Sequence, residues 1–350
     1  MSDIGLYIHV PFCLSKCPYC DFYSVPFSED TARAYSAAVV RNLSRRRERF
    51  DTVYFGGGTP ILLHRYIESI LSAADIRSGA EITAEANPCL CTEQALDALK
   101  RAGVNRLSIG VQSFDDRELS ALGRRHTAAE AERAVLAASA AGFDNISIDL
   151  MLAIPYQTAE SLERTVERAA ALPITHVSAY LLKIEPNTVF GKRPPDTGFD
   201  EDSTAEIYLK AVRLLERHGF AQYEISSFSR AGFEPRHNLK YWRREEYLGI
   251  GAAAHSFLDG VRFAVPRSVR GFIDAEIQPT EITDSSPNEE EERIMLGLRL
   301  SEGIEESLWR PHENRLRLVP DKYYSIKGGR LALTAEGFLL SNEIISLLLS

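Results

Sequence analysis

Apolar residues in this chain follow two rhythms. Short runs rich in β-branched and aromatic side chains recur as LYIHV at 6–10, TVYFGGG at 52–58, EITAEAN at 81–87, RLSIGVQ at 106–112, NISIDLM at 145–151 and HVSAYLL at 176–182. Stretches with helical spacing lie between them: CTEQALDALKRAG at 91–103, TAAEAERAVLAASAAG at 127–142 and TAESLERTVERAAAL at 158–172. Strand, helix, strand at these distances predicts parallel βα units. Six of them predict an α/β fold, a partial (β/α)6 barrel of the TIM type, although periodicity alone also admits a doubly wound sheet. In a barrel the site is built at the C-terminal strand ends. Those ends carry a cysteine-rich segment after the first strand, GGGTP after the second, Glu85 in the third, Gln112 after the fourth and Asp149 in the fifth.

The rhythm changes towards the C-terminus. QPTEITDSSPNEEEE at 278–292 is polar and turn-rich and reads as a linker. ERIMLGLRLSEGI reads as an amphipathic helix, and KGGRLALTAEGFLLSNEIISLLLS as a hairpin or wing followed by a helix. The expected organisation is a barrel over 1–230, a segment packed on it over 231–277, and a small helical, winged-helix-like domain over 278–350.

Composition narrows the partners. The 350 residues are 45% hydrophobic and 25% charged, with a net charge of −9. That balance supports a large core and argues against nucleic acid as a partner. The basic run RNLSRRRERF at 41–50 reads as the solvated face and end of a helix, with contact to anionic lipid headgroups as a second reading. MSDIGLYIHVPF has no basic leader region, long apolar stretch or small-residue cleavage site, so the expectation is a cytoplasmic protein with reduced thiols.

Three of those thiols, Cys13, Cys17 and Cys20, fall within HVPFCLSKCPYCDF at 9–22. Three is one short of a closed zinc site and unsuited to a disulfide framework. Pro11 and Pro18 make the segment a loop rather than a helix. Thiolates on such loops hold iron–sulfur clusters, and three ligands leave one iron of a four-iron cubane open. A zinc loop completed by a distant histidine is the competing reading. Cys89 and Cys91 form a separate, incidental pair. Gly56, Gly57 and Gly58 allow close backbone approach to a ligand, or simply a tight turn. Glu85 and Asp149 are acids in apolar strands and need a partner such as an amine or ribose hydroxyls. Arg124, in ALGRRHT, offers a fork for a carboxylate.

The string CLSKCPYC resembles the CxxxCxxC motif of the radical S-adenosylmethionine (SAM) family. With LYIHVPF, YFGGGTP, EANP, LSIGVQSF and DLMLAIPYQT, the chain is similar over nearly its whole length to one branch of that family. That branch holds oxygen-independent coproporphyrinogen III dehydrogenase and the haem chaperones. The resemblance implies a barrel of the radical SAM kind, and a 4Fe-4S cluster on Cys13, Cys17 and Cys20 whose open iron chelates SAM. It places Tyr7 and Tyr19 beside cluster and SAM, and Gly57, Gly58 and Thr59 at the methionine end. Glu85, Gln112, Arg124 and Asp149 match further SAM-binding positions. Ala153 and Ile154 depart from the family's DLIxGLPxQT, and alanine for glycine narrows that turn.

Two features separate the branch members. The dehydrogenase continues to CxxxCxxCxC, whereas this chain has Phe22 at the fourth cysteine, and the motif begins without the dehydrogenase's N-terminal extension. HNLKYW at 237–242 matches the HNxxYW haem-binding motif of the chaperones. The resemblance therefore implies haem contact by His237, Asn238, Tyr241 and Trp242, although PRHNLKYWRREEY also reads as a loop leading into a core-anchoring Tyr-Trp pair. His255 is a second haem candidate, or a core histidine. The implied function is a haem chaperone binding cluster, SAM and haem, without dehydrogenase activity, that delivers haem to acceptor haemoproteins. Peripheral attachment at the inner face of the membrane and a homodimer are further options. Oxidative decarboxylation of coproporphyrinogen III propionates to vinyls is the rival function, and a structural zinc protein the third.

Overall fold

The computed structural model describes residues 3–350. The first two residues of the 1–230 segment, which begin the stretch read for a leader, lie outside them. One sheet of twelve strands carries the fold. In chain order these are β1 (Ile4–Val10), β2 (Arg49–Gly57), β3 (Asp75–Ala86), β4 (Arg106–Gln112), β5 (Ile146–Leu152), β6 (His176–Leu181), β7 (Ala221–Glu224), β8 (Ser227–Ser229), β9 (Tyr247–Ile250), β10 (His255–Leu258), β11 (Val261–Ala264) and β12 (Glu281–Asp284). Their spatial order is β12-β11-β10-β9-β1-β2-β3-β4-β5-β6-β8-β7. The run from β9 through β1 to β6 is parallel throughout, and antiparallel strands extend both flanks. This is the partial barrel, with the six expected strands contiguous.

The parallel run has a seventh member. β9 is only four residues, YLGI, and lies on the far side of β1, so chain spacing gave no sign of it. The segment read as a linker also differs from expectation. Residues 281–284 pair with β11, and the helix Glu289–Gly297 follows, capped by Asn288.

The expected helices form at Glu93–Arg101, Ala128–Ala140 and Ala159–Ala170. Each begins at a threonine whose side chain accepts from a backbone N–H three residues on, which fixes where the helix starts. Two further helices, Glu29–Leu43 and Glu201–Arg217, cover β1–β2 and β6–β7 crossings. The basic run ends the first of them; Arg45, Arg47 and Arg49 are exposed, and two of its arginines also bond elsewhere in the chain. Arg41 donates to the carbonyls of Ile273 and Ala275 at 2.9 and 2.7 Å, and Arg45 to that of Glu276 at 2.6 Å. No helix among the described residues is long and apolar enough to cross a membrane.

Strand alternation divides the barrel. On β4, Leu107, Ile109 and Val111 are fully buried in the apolar layer, while Arg106, Ser108, Gly110 and Gln112 line an internal cavity. On β6, Val177 and Ala179 are buried against Ser178 and Tyr180 on the cavity side. The period of two thus puts polar groups inside the barrel and the hydrophobic core outside it, beneath the helices. The C-terminal unit joins the sheet at its β7 edge, where Ile225 N donates to Arg299 O and Ser301 N to Tyr223 O, both at 2.9 Å. Its hairpin, Tyr324–Lys327 with Arg330–Leu333, precedes the helices Ala335–Leu339 and Ser341–Leu349.

Candidate functional site

The cavity opens at the C-terminal strand ends and has a volume of about 350 Å³. Cys13, Cys17 and Cys20 stand at its mouth, all half-buried and free. The loop is held from both sides. Val25 N donates to Pro11 O at 2.8 Å and Phe27 N to Cys13 O at 3.1 Å, closing the loop on itself. Phe190 N donates to Pro18 O at 3.0 Å, and Tyr19 packs against a small separate apolar cluster of Leu122, Met151, Ile154 and Phe190. Thr59 Oγ1 lies 3.6 Å from Cys13 Sγ, and Arg124 Nη1 3.5 Å from Cys17 Sγ. Among the described residues no three Cys, His, Asp or Glu side chains converge on a point suited to a single metal ion. Three separated thiols on one loop fit a cubane, which binds each sulfur at a different corner, better than a zinc ion.

The glycines have structural work of their own. A Cβ on Gly57, whose φ is +110°, would sit 2.5 Å from the His9 ring, and one on Gly58 would sit 2.6 Å from Phe12 O. Protein, not ligand, fills the space a side chain would need. The amide of Gly57 then donates to Glu85 Oε2 at 3.1 Å, and Tyr54 OH to Oε1 at 2.8 Å. Arg124 Nη2 donates to Asn87 Oδ1 and Gly110 O at 2.8 and 2.6 Å, so its fork is already oriented across the cavity wall. Gln112 ends β4 at φ +74° and lines the cavity. Asp149 accepts from Ser108 Oγ at 3.3 Å. Burial pushes Glu85 up to about 7, with the Asp149 charge adding to it. Burial likewise pushes Asp149 up to about 6, opposed by Arg106. Two strained acids facing one cavity are poised to accept hydrogen bonds or a positive charge.

Of the expected SAM positions, Tyr19, Gly57, Gly58, Thr59, Glu85, Gln112, Arg124 and Asp149 line this one cavity. Tyr7 does not. Its ring stacks on Tyr54 at 6.3 Å and its hydroxyl donates to His9 Nδ1 at 2.9 Å, because His9 Nε2–H is committed to Tyr23 O at 3.0 Å. Tyr7 packs behind Tyr54, which does line the cavity. Ala153, the residue in place of glycine, has φ +54° and donates its N–H to Gln157 Oε1 at 2.8 Å, so the turn survives in a left-handed conformation.

The HNLKYW segment is a helix, Arg236–Trp242, rather than a loop. Glu81 accepts from the N–H groups of Arg236 and His237, both at 3.0 Å, which places a carboxylate at the helix N-terminus. His237 is 0% exposed. Its Nδ1 is bonded to Thr52 Oγ1 and its Nε2 to Tyr241 OH, each at 2.8 Å, and its ring stacks on Tyr54 at 5.4 Å. Burial, with Lys240 and Arg106 nearby, lowers its pKa to about 3. In this arrangement the imidazole is a fully satisfied strut under Tyr54 and has no free nitrogen for iron. Tyr241 is its partner, Trp242 is half-buried outside the cavity lining, and only Asn238 reaches the cavity. His255 is exposed, not a core residue.

Sequence reasoning missed Arg106, Tyr54, Ser108, Ser178 and Tyr180. Arg106 is 1% exposed, makes no side-chain hydrogen bond among the described residues, and has Nε and Nη1 buried without partners. It lies at the cavity floor, where water or a ligand can satisfy it. The same signal that picked out Glu85, a charge in an apolar strand, was present in RLSIGVQ. The tyrosines and serines carried only the weaker signal of polar residues at alternate strand positions.

Comparison with known proteins places this geometry. The Radical SAM superfamily profile matches residues 7–169. The chain is 34% identical to the haem chaperone HemW of Lactococcus lactis over 97% of its own length and 95% of that protein. It is also 34% identical to HemW of Escherichia coli, over 100% and 99% respectively. Among solved structures, coproporphyrinogen III oxidase (HemN) from Escherichia coli superposes with a TM-score of 0.82 at 20% identity, over 99% of this chain and 90% of that one. That likeness shows the fold.

Proposed function

The chain belongs to the HemW family of radical SAM proteins, and on that premise we propose that it is a haem chaperone that carries a 4Fe-4S cluster and SAM and hands haem to acceptor haemoproteins. The observation that carries the cofactor part is the convergence of three free thiols, an oriented Arg124, and Glu85 and Asp149 on one cavity. A bound cluster supplies an iron open to the amino and carboxylate groups of SAM. Cys13, Cys17 and Cys20 hold that cluster. Gly57, Gly58 and Thr59 shape the wall beside it, Arg124 and Gln112 orient polar groups of the ligand, and Glu85 and Asp149 accept from its amine or hydroxyls.

At about 350 Å³ the cavity is at the lower end of small-molecule sites. It suits one ligand of SAM's size. A porphyrin macrocycle in addition to SAM would need more room, so haem is held at the rim and remains transferable. Phe22, at the position where the dehydrogenase places a fourth cysteine, is 66% exposed at that mouth. An apolar ring there offers a face to a porphyrin and no thiol to the chemistry.

Anaerobic reconstitution with SAM, haem and coproporphyrinogen III in parallel tests the reading. The expected result is a four-iron absorption band, SAM and haem binding, haem transfer to an apo-haemoprotein, and no conversion of coproporphyrinogen III. Catalytic formation of vinyl groups would replace this reading with the dehydrogenase.

A further inference from the structure

If the chain carries haem, some side chain must offer iron a free electron pair, and His237 does not. Elimination among the eight histidines is informative. His9, His126, His176 and His237 are buried, and three of these four have both ring nitrogens bonded. The fourth, His126, donates Nε2–H to Val111 O at 3.0 Å, and its unpartnered Nδ1 is buried, out of reach of a ligand at the surface. His64 is half-buried and tied by Nδ1 to Ile61 O at 3.0 Å. His218 caps a helix that runs back to the far end of the barrel, and His312 lies in the C-terminal unit near Arg315. His255 alone is exposed at the cysteine end of the barrel, with a side chain that makes no hydrogen bond among the described residues.

Its surroundings are specific. β10 runs antiparallel to β9, so His255, its first residue, sits at the same end as the C-termini of the parallel strands. The turn before it is pinned over the end of β1. A Cβ on Gly251 would be 2.8 Å from His9 O, and Ala253 N donates to Val265 O and Pro266 O at 3.2 and 3.3 Å. That second contact brings the segment containing Arg267 beside His255. Tyr23, the residue after Phe22, ties the cysteine loop to the same place. Its carbonyl accepts from His9, and its hydroxyl accepts from Val269 N at 3.2 Å. The rim therefore presents an unbonded imidazole, an exposed guanidinium with no ion pair among the described residues, and the aromatic pair Phe22 and Tyr23. Partial burial and the Arg267 charge disfavour a proton on His255, which keeps the ring in its metal-binding form.

We propose that His255 is the axial ligand to haem iron, on the rim between the cysteine loop and the 253–267 turn, with Arg267 pairing a haem propionate and Phe22 lying along the porphyrin. The assignment rests on the haem-chaperone reading and moves the iron away from HNLKYW, whose helix positions Tyr54 and delivers Asn238 to the cavity. A site at the mouth also explains how haem is released without unfolding a core.

The test is a titration of ferric haem into the anaerobically reconstituted full chain, followed by absorption and electron paramagnetic resonance. His255→Gly should weaken haem binding about tenfold or more and lose the nitrogen-ligand signature, and added imidazole should restore it. His255→Met should retain haem with the altered spectrum of a thioether ligand. His237→Gln should leave the spectrum as in the unaltered chain. Arg267→Ala should weaken binding of haem but not of its dimethyl ester. An unchanged spectrum and affinity in His255→Gly, with normal haem uptake by the unaltered chain, overturns the assignment alone. Failure of the unaltered chain to take up haem overturns the haem reading along with it.

Discussion

The cysteine loop and the HNLKYW helix are both short strings of chemically capable residues, yet the fold treats them in opposite ways. At the loop, three thiols remain free, half-buried and open to a cavity. At the helix, His237 is enclosed, each nitrogen has a protein partner, and even its main-chain N–H is taken by Glu81. A ligand site needs donors that the protein has left unspent, whereas a satisfied buried group stabilises the fold in which it sits. The difference lies in partners, and partners are a property of the tertiary structure. A motif string does not encode them.

The sharpest way to break this contrast is to remove both sets. Replacing Cys13, Cys17 and Cys20 together with alanine should abolish bound iron and its absorption while thermal unfolding stays close to that of the cluster-free parent, since no sulfur is in the core. His237→Ala should do the reverse. It leaves Thr52 Oγ1 and Tyr241 OH without their partner and opens a void under Tyr54, for a loss of about 2–4 kcal/mol in unfolding free energy. Denaturant melts of both variants read the two outcomes directly. A cysteine variant that unfolds as readily as His237→Ala would dissolve the distinction.

How far the sequence displayed this contrast depends on range. The barrel strands and three helices were visible because period two, period 3.6 and threonine caps are local signals. β9 was not, because four apolar residues acquire meaning only beside β1. The grouping of the cysteines at the cavity mouth was legible since all three thiols lie within eight positions of one loop. Glu85 and Asp149 were legible as charges where apolar residues were expected, and Arg106 should have been read by the same rule. The structural part played by HNLKYW was not legible, because it rests on Thr52 and Glu81, far away in sequence. Exposure of His255 depended equally on where β10 lies between β9 and β11, which no local pattern announces.

The open site should also respond to pH in a direction the closed one cannot. Glu85 and Asp149 are raised by burial to about 7 and about 6, above the ordinary carboxylate range. In the ligand-free chain the folded state holds these protons more tightly than the unfolded one. Their contribution to stability is thus complete below about pH 4 and is lost as pH climbs through 6 and 7. Ligand groups that donate to the ionised carboxylates favour the opposite limit, so SAM should bind more tightly as pH rises. Roughly tenfold tightening between pH 6 and 8 is expected for a single group titrating near 7, with most of it removed in Glu85→Gln. Isothermal titration at several pH values checks this, and a flat profile in the unaltered chain would mean that the pair is already ionised without ligand.

The smallest expected effect lies at Ala153, just past the end of β5. Its φ of +54° is the left-handed conformation, where an L side chain crowds its own carbonyl at a cost of about 1–2 kcal/mol. The turn persists because Gln157 grips it, accepting from Ala153 N at 2.8 Å and donating Nε2 to Met151 O at 3.0 Å. Glycine at this position removes the crowding but adds freedom to the unfolded chain, so the gain should be smaller than the strain, about 1 kcal/mol. Ala153→Gly should therefore raise the denaturation midpoint slightly and leave SAM affinity unchanged, because the Ala153 methyl does not line the cavity. A lower midpoint would show that this methyl, buried in the core, contributes more by packing than its backbone loses by strain.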